Sequence, residues 1–120
     1  MKLHEKFYTR TVYGLAECVG KRISDSYAVI RPWFTRDTVY YVIHIPSGLK
    51  VGAEHSTIKD CIGNFVKDLT DIKKKLQDKG KDFDKQIEDG TKRFNELKEE
   101  KIFYKPYYSE EEIEEKLKDA

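Results

Sequence analysis

Only two cysteines, Cys18 and Cys61, occur in the 120 residues, and no apolar stretch opens the chain. A disulfide framework and secretion are therefore not expected, and free thiols in a cytoplasmic protein are. No apolar run approaches the roughly 20 residues that a membrane-crossing helix needs. The sequence has no C-x-x-C or H-x-x-x-H pair, so the paired-ligand patterns of zinc sites are missing. No glycine-rich phosphate loop follows a strand pattern, and Gly48, Gly52 and Gly80 read as turn and cap residues. A net charge of +1 removes the general electrostatic case for nucleic acid or acidic membranes.

What is present is unevenly distributed. Five of the eight tyrosines and the tryptophan fall in residues 1–56, whereas residues 67–120 are dominated by Lys, Asp and Glu. Residues 1–56 hold 8 Lys/Arg against 5 Asp/Glu, residues 67–101 hold 11 against 10, and residues 102–120 hold 3 against 6. The chain is therefore only mildly polar end to end. A length of 120 residues suits one domain. The asymmetry then marks layers within it: a sheet layer at 1–56, a helical layer at 57–100, and an aromatic segment with an acidic C-terminal helix at 101–120.

Period-two alternation of β-branched and aromatic residues predicts a strand at Thr38–Ile45, with Val39, Tyr41, Ile43 and Ile45 on one face and Tyr40, Val42 and His44 on the other. Pro46-Ser47-Gly48 has turn chemistry, and Leu49–Ala53 is the expected returning arm. Ser26–Phe34 reads as the preceding strand, which Pro32 should end early or confine to an edge, joined through Thr35-Arg36-Asp37. Thr9–Val19 is expected to be a first strand with Gly14 as a bulge and Gly20-Lys21-Arg22 as its turn. Together these segments predict an antiparallel meander of three to four strands.

After Ser56 as N-cap, Ile58, Ile62, Phe65, Leu69, Ile72 and Leu76 recur at spacings of three and four, predicting an amphipathic helix over 57–78. Lys79-Gly80-Lys81 reads as its stop and Asp82 as the next N-cap. A second charged helix over 82–100 carries Phe83, Ile87, Phe94 and Leu97, with Gly90 in the position where the stripe lacks an apolar residue. The break near Gly80 favours a helical hairpin over one rod. KIFYKPYY is then extended, and Ser109 with Glu112 is a capping box opening the short acidic helix. The expected fold is α+β, with the meander packed on the long helix. The narrow stripe of 82–100 fits packing within the chain or a homodimer through the helical half.

His44, His55, Cys18 and Cys61 are the candidates for metal or nucleophile chemistry. Cys61 lies on the apolar stripe, so a buried thiol outweighs both a nucleophile and a metal ligand. No carboxylate pair stands apart from the lysine-rich helix faces, and neither a catalytic residue nor a cofactor is expected. If Ile43 and Ile45 face the helix, Tyr40 and His44 face away. Tyr27, Arg31 and Trp33 on the neighbouring strand would then complete an aromatic-basic patch of residue types common at binding hot spots. The competing expectation is that other segments cover this face.

YYVIHIPSGLKVG followed by STIKDCIGNFVKDL resembles small accessory proteins of phages and mobile elements, in which an aromatic strand with an H-x-P-S/T-G-L turn leads into a helix. The resemblance spans about residues 39–69. It implies a small α+β protein that occupies a surface of a host or phage protein, for example as an inhibitor of a defence nuclease. A non-enzymatic protein-binding module is the expectation. The alternative is a nucleic-acid-binding module using the sheet face and Arg10, Lys21, Arg22, Arg31, Arg36 and Lys50.

Overall fold

The computed structural model of the chain describes residues 5–32, 39–104 and 111. Its fold is α+β, a curled antiparallel sheet in sequence order followed by helices. Strand β1 (Glu5–Thr11) and strand β2 (Gly14–Arg22) form a hairpin in which Thr11 pairs with Gly14 across the two-residue tip Val12-Tyr13. The Thr11 hydroxyl accepts from the Tyr13 N–H at 3.1 Å and donates to the Gly14 carbonyl at 2.8 Å, and Gly14 takes φ +128°. The expected single strand over 9–19 is thus corrected to a hairpin. Gly14 is its turn residue and not a bulge, because only glycine readily holds that φ. Gly20, Lys21 and Arg22 continue the strand instead of turning.

Strand β3 (Tyr27–Arg31) pairs antiparallel with β2 and stops at Pro32, which has no N–H for the ladder. Strand β4 (Tyr41–His44) follows with Tyr27 opposite His44 and Val29 opposite Val42. The expected returning arm is reduced to single bridges, Ile43 with Lys50 and Tyr40 with His55. Between these bridges the arm advances five residues while β4 goes back three, so no regular ladder forms. Trp33, the connection through Thr38, and all but Glu111 of the acidic helix expected from Ser109 lie outside the described residues.

Alternation assigns the two faces. Phe7, Thr9, Cys18, Gly20, Ala28, Ile30, Tyr41 and Ile43 share the inner face of the curl, and all the apolar ones among them are buried. The curl is closed by the Pro46–Gly48 turn meeting β1. The Gly48 carbonyl accepts from the Arg10 backbone N–H at 2.9 Å and from the Thr9 hydroxyl at 3.2 Å. The Thr9 oxygen in turn lies 3.3 Å from the Tyr41 hydroxyl.

The helices cover the outer face. The expected helix over 57–78 is interrupted: helix α1 (Ile58–Gly63) ends at Asn64, and helix α2 (Phe65–Asp78) begins there. Gly63 is a weak helix former, and the Asn64 amide donates to the Asp60 carbonyl at 2.8 Å, which closes α1. Thr57, not Ser56, is the N-cap, its side chain accepting from the Asp60 N–H. Gly80 at φ +72° completes a Schellman end, with Lys81 N–H to Leu76 O at 2.8 Å and Gly80 N–H to Gln77 O at 2.9 Å. Helix α3 (Phe83–Glu99) then packs beside α2, as the stop at Gly80 suggested, and buries Phe94 and Leu97 against Leu15 and Tyr8. Its stripe is therefore used within the chain. Lys101 at φ 57° ends α3 by the same motif, through Ile102 N–H to Leu97 O at 2.9 Å. Strand β5 (Phe103–Tyr104) finally runs parallel to β2 at Leu15–Ala16.

Gly20 and Gly48 stand where the backbone of a neighbouring segment crowds the place of a side chain. A Cβ at Gly20 would overlap the Val29 carbonyl, and one at Gly48, where φ is +68°, would stand 3.0 Å from both Phe94 and the Tyr8 carbonyl. Gly20→Ala and Gly48→Ala are each expected to cost about 2–4 kcal/mol in urea unfolding. The two helix ends should respond oppositely. Gly80→Ala, with open space around it, loses about 1 kcal/mol from backbone conformation alone, whereas Lys101→Gly gains about 0.5–1 kcal/mol.

Candidate functional site

The patch expected at Tyr27, Arg31, Trp33, Tyr40 and His44 is not an open surface. Arg31 and Tyr40 are each 8% exposed and His44 is 9% exposed, while Trp33 lies outside the described residues. Tyr27 is half-buried between the His44 ring at 5.5 Å and the Phe65 ring of α2 at 5.0 Å. The facing was inverted: Val42 and His44 lie under α1 and α2, and Tyr41 and Ile43 point into the curl. Alternation sorts side chains into two sets, but both sets of β4 are apolar enough to be buried, so the pattern could not say which one meets the helix.

The turn that carries the family resemblance has a structural role at nearly every position. Ser47 is fully buried, and its Oγ accepts from the Leu49 N–H at 3.2 Å and lies 2.8 Å from His44 Nδ1. The Ser47 hydroxyl also donates to the His44 carbonyl at 3.5 Å, so it meets both the ring and the backbone of His44. Burial also lowers the His44 pKa from its ordinary value. Gly48 provides the carbonyl gripped by β1, and Leu49 packs on α3 at Gly90, where a Cβ would stand 2.5 Å from Leu49 Cδ1. The gap in the α3 stripe at Gly90 is thus the seat of Leu49.

A second polar cluster lies where the return arm meets α2. His55 Nε2 and Asp68 Oδ2 are 2.7 Å apart, with side chains 20% and 13% exposed. His55 also exchanges both backbone hydrogen bonds with Tyr40 at 2.8 Å. Cys61 is fully buried nearby. Its thiol pKa is pushed up to about 12, first by burial and then by Asp68 and Asp60, against a smaller opposing effect of the His55 backbone. Cys18 is raised as well, mainly by burial, and its thiol donates to the Phe7 carbonyl at 3.4 Å. Neither thiol has the exposed, thiolate-favouring surroundings of a nucleophile. Among the described residues, no group of three or more His, Cys, Asp or Glu is placed to hold a metal ion. Asp68 escaped the sequence reading, although its place in the apolar stripe, seven residues after Cys61, was the signal.

Arg22 pairs with Glu5 at 2.8 Å, Lys50 pairs with Glu54 at 3.2 Å, and Arg10 donates to the Gly90 carbonyl at 3.3 Å. Arg36 lies outside the described residues. Among the described residues, large apolar side chains are exposed at Val12, Tyr13, Ile62, Val66, Ile102 and Phe103. At the hairpin tip Val12 is 92% exposed and Tyr13 69%, and at the same end of the sheet Ile102 is 36% and Phe103 47% exposed. Ile102 adjoins Gly14, and the Phe103 ring lies 5.6 Å from that of Tyr8. A separate cleft of about 290 Å³ lies between the return arm, α2 and α3, with Leu49, Val51, Ile72, Leu76, Phe83 and Ile87 in its walls. No helix among the described residues is long and apolar enough to cross a membrane. No protein-family model, curated protein or solved structure matches the chain.

Two measurements check this arrangement. Both thiols should react with a disulfide reagent slowly in the native protein and rapidly in denaturant; fast native labelling of Cys61 would contradict its burial. For His44 the folded pKa lies below the unfolded one, so the native state binds fewer protons between the two values. Its contribution to stability is whole above the unfolded pKa of about 6.5 and declines as pH falls from there toward the folded value. His44→Asn should flatten stability against pH over that window, read by urea unfolding at pH 5 to 8.

Proposed function

We propose that the chain is a non-enzymatic protein-binding module, of the kind by which small accessory proteins of phages and mobile elements occupy a surface of a host or phage protein. The observation that carries this reading is the open apolar end of the sheet, where four of the six exposed large apolar side chains among the described residues stand: Val12, Tyr13, Ile102 and Phe103, the other two being Ile62 and Val66 on the helices. Grouped apolar side chains exposed in this way suit a protein contact better than solvent. A tight two-residue turn fixed by the Thr11 hydroxyl holds Val12 and Tyr13 forward at little further entropic cost on binding. The polar groups that chemistry would recruit have other roles: His44 holds the Ser47 turn, His55 clamps α2 through Asp68, and both thiols are buried.

Val12→Ser combined with Tyr13→Ser should leave the unfolding midpoint within about 2 °C of the parent, because both positions are exposed. In affinity purification from the source cell followed by mass spectrometry, the partner enriched by the parent chain should be lost with the double variant. Equal recovery of the same partner by a folded double variant would remove this surface from the proposal.

A further inference from the structure

The cleft between the return arm and the helix pair has a composition that selects its ligand. Its walls are six apolar side chains, and the lining residues that carry charge are Lys50 and Lys75, with Gln86 the remaining polar one. Lys50 already faces Glu54, but Lys75 makes no ion pair among the described residues. Lys73 reaches over the Phe83 ring at 5.1 Å, and Lys79 and Lys81 follow in the turn between the helices. Residues 73–84 carry five lysines, at 73, 74, 75, 79 and 81, against Asp78, Asp82 and Asp84, a local balance of +2, and Asp82 and Asp84 stand with Lys73 and Lys81 around the neighbouring hollow. An apolar floor whose lining holds two lysines and no acidic residue matches a segment of opposite charge that presents aliphatic side chains.

We infer that this cleft is a docking groove for an acidic amphipathic helix of a protein partner, whose aliphatic side chains at i and i+4 enter between Leu49, Ile72, Leu76 and Ile87. The inference rests on the reading of the chain as a binding module and adds a second contact surface, apart from the hairpin tip. Helix α2 supplies both features. Ile72 and Leu76 lie four residues apart on its inward stripe, and Lys73 and Lys75 flank that stripe. Carboxylates on the rim of a bound helix would lie beside these lysines while its apolar face filled the cleft.

The test uses the full chain and a fluorescein-labelled acidic peptide, EEALEELLEEAL, with the basic peptide KKALKKLLKKAL as its counterpart. Fluorescence polarisation should show saturable binding of the acidic peptide, with the basic one at least about tenfold weaker. Affinity should fall roughly fivefold with Lys75→Glu plus Lys79→Glu, both exposed, and about tenfold or more with Leu76→Asp. The charge-reversal variant keeps the test valid if Leu76→Asp does not fold. Equal binding of both peptides, binding unchanged by the reversal, or no binding because the groove is filled from within the chain would each overturn the inference. So would sedimentation showing a dimer that the reversal dissociates, since the groove would then belong to a second copy. Failure here with the Val12/Tyr13 variant still losing its partner would reject the groove and leave the binding module standing. Failure of that capture test with intact peptide binding would reject the tip instead.

Discussion

The Gly48 carbonyl is held from two sides of β1, by the Arg10 backbone N–H and by the Thr9 hydroxyl, and this grip turns a four-strand meander into a curl. Without it, β1 would be a plain edge strand and the Pro46–Gly48 turn a solvent loop. With it, the inner face shrinks to a space that Phe7, Cys18, Ile30, Tyr41 and Ile43 fill, and Gly20 has no room for a side chain. The same turn is the floor on which α3 rests, because Gly48 meets Phe94 and Leu49 meets Gly90. One short turn therefore joins sheet closure to helix docking. His44 and Ser47 are placed where they keep its shape.

This changes what the H-x-P-S-G-L pattern says. Pro46 and Gly48 set the reversal, Ser47 ties the Leu49 N–H to the His44 ring, and Leu49 is the anchor on α3. A motif of that kind can recur in proteins of unlike activity, because each letter answers to packing and hydrogen bonding within the turn. Function is then to be sought on the surfaces that the turn leaves open: the hairpin tip at one end of the sheet and the groove beside α2 and α3.

The legible parts of the fold were those with local physical causes. The stop at Pro32, the Schellman end at Gly80, the strand at 41–44 and the long helix over 83–99 follow from proline's missing N–H, glycine's free φ and side-chain periodicity. The β1–β2 hairpin was hidden because Val12-Tyr13 has no turn residue other than the glycine that follows, and the Thr11 hydroxyl supplies what the tip lacks. The break at Asn64 was hidden because the apolar stripe runs through it without a change of phase. The candidate site fared worst. Arg31, Tyr40 and His44 were grouped correctly by alternation and register but placed on the wrong side of the sheet.

By itself the sequence determined the α+β class, the stops at Pro32 and Gly80, and the turn at Pro46–Gly48. All of these are set by neighbours within a few residues. Only the tertiary structure decided which face of β4 the helices cover, that His55 meets Asp68, and that Val12, Tyr13, Ile102 and Phe103 gather at one open end. Those outcomes depend on contacts between residues 13 to 95 positions apart, from His55–Asp68 to Tyr8–Phe103, and a period-two or period-3.6 pattern has the same form whichever partner it finally meets.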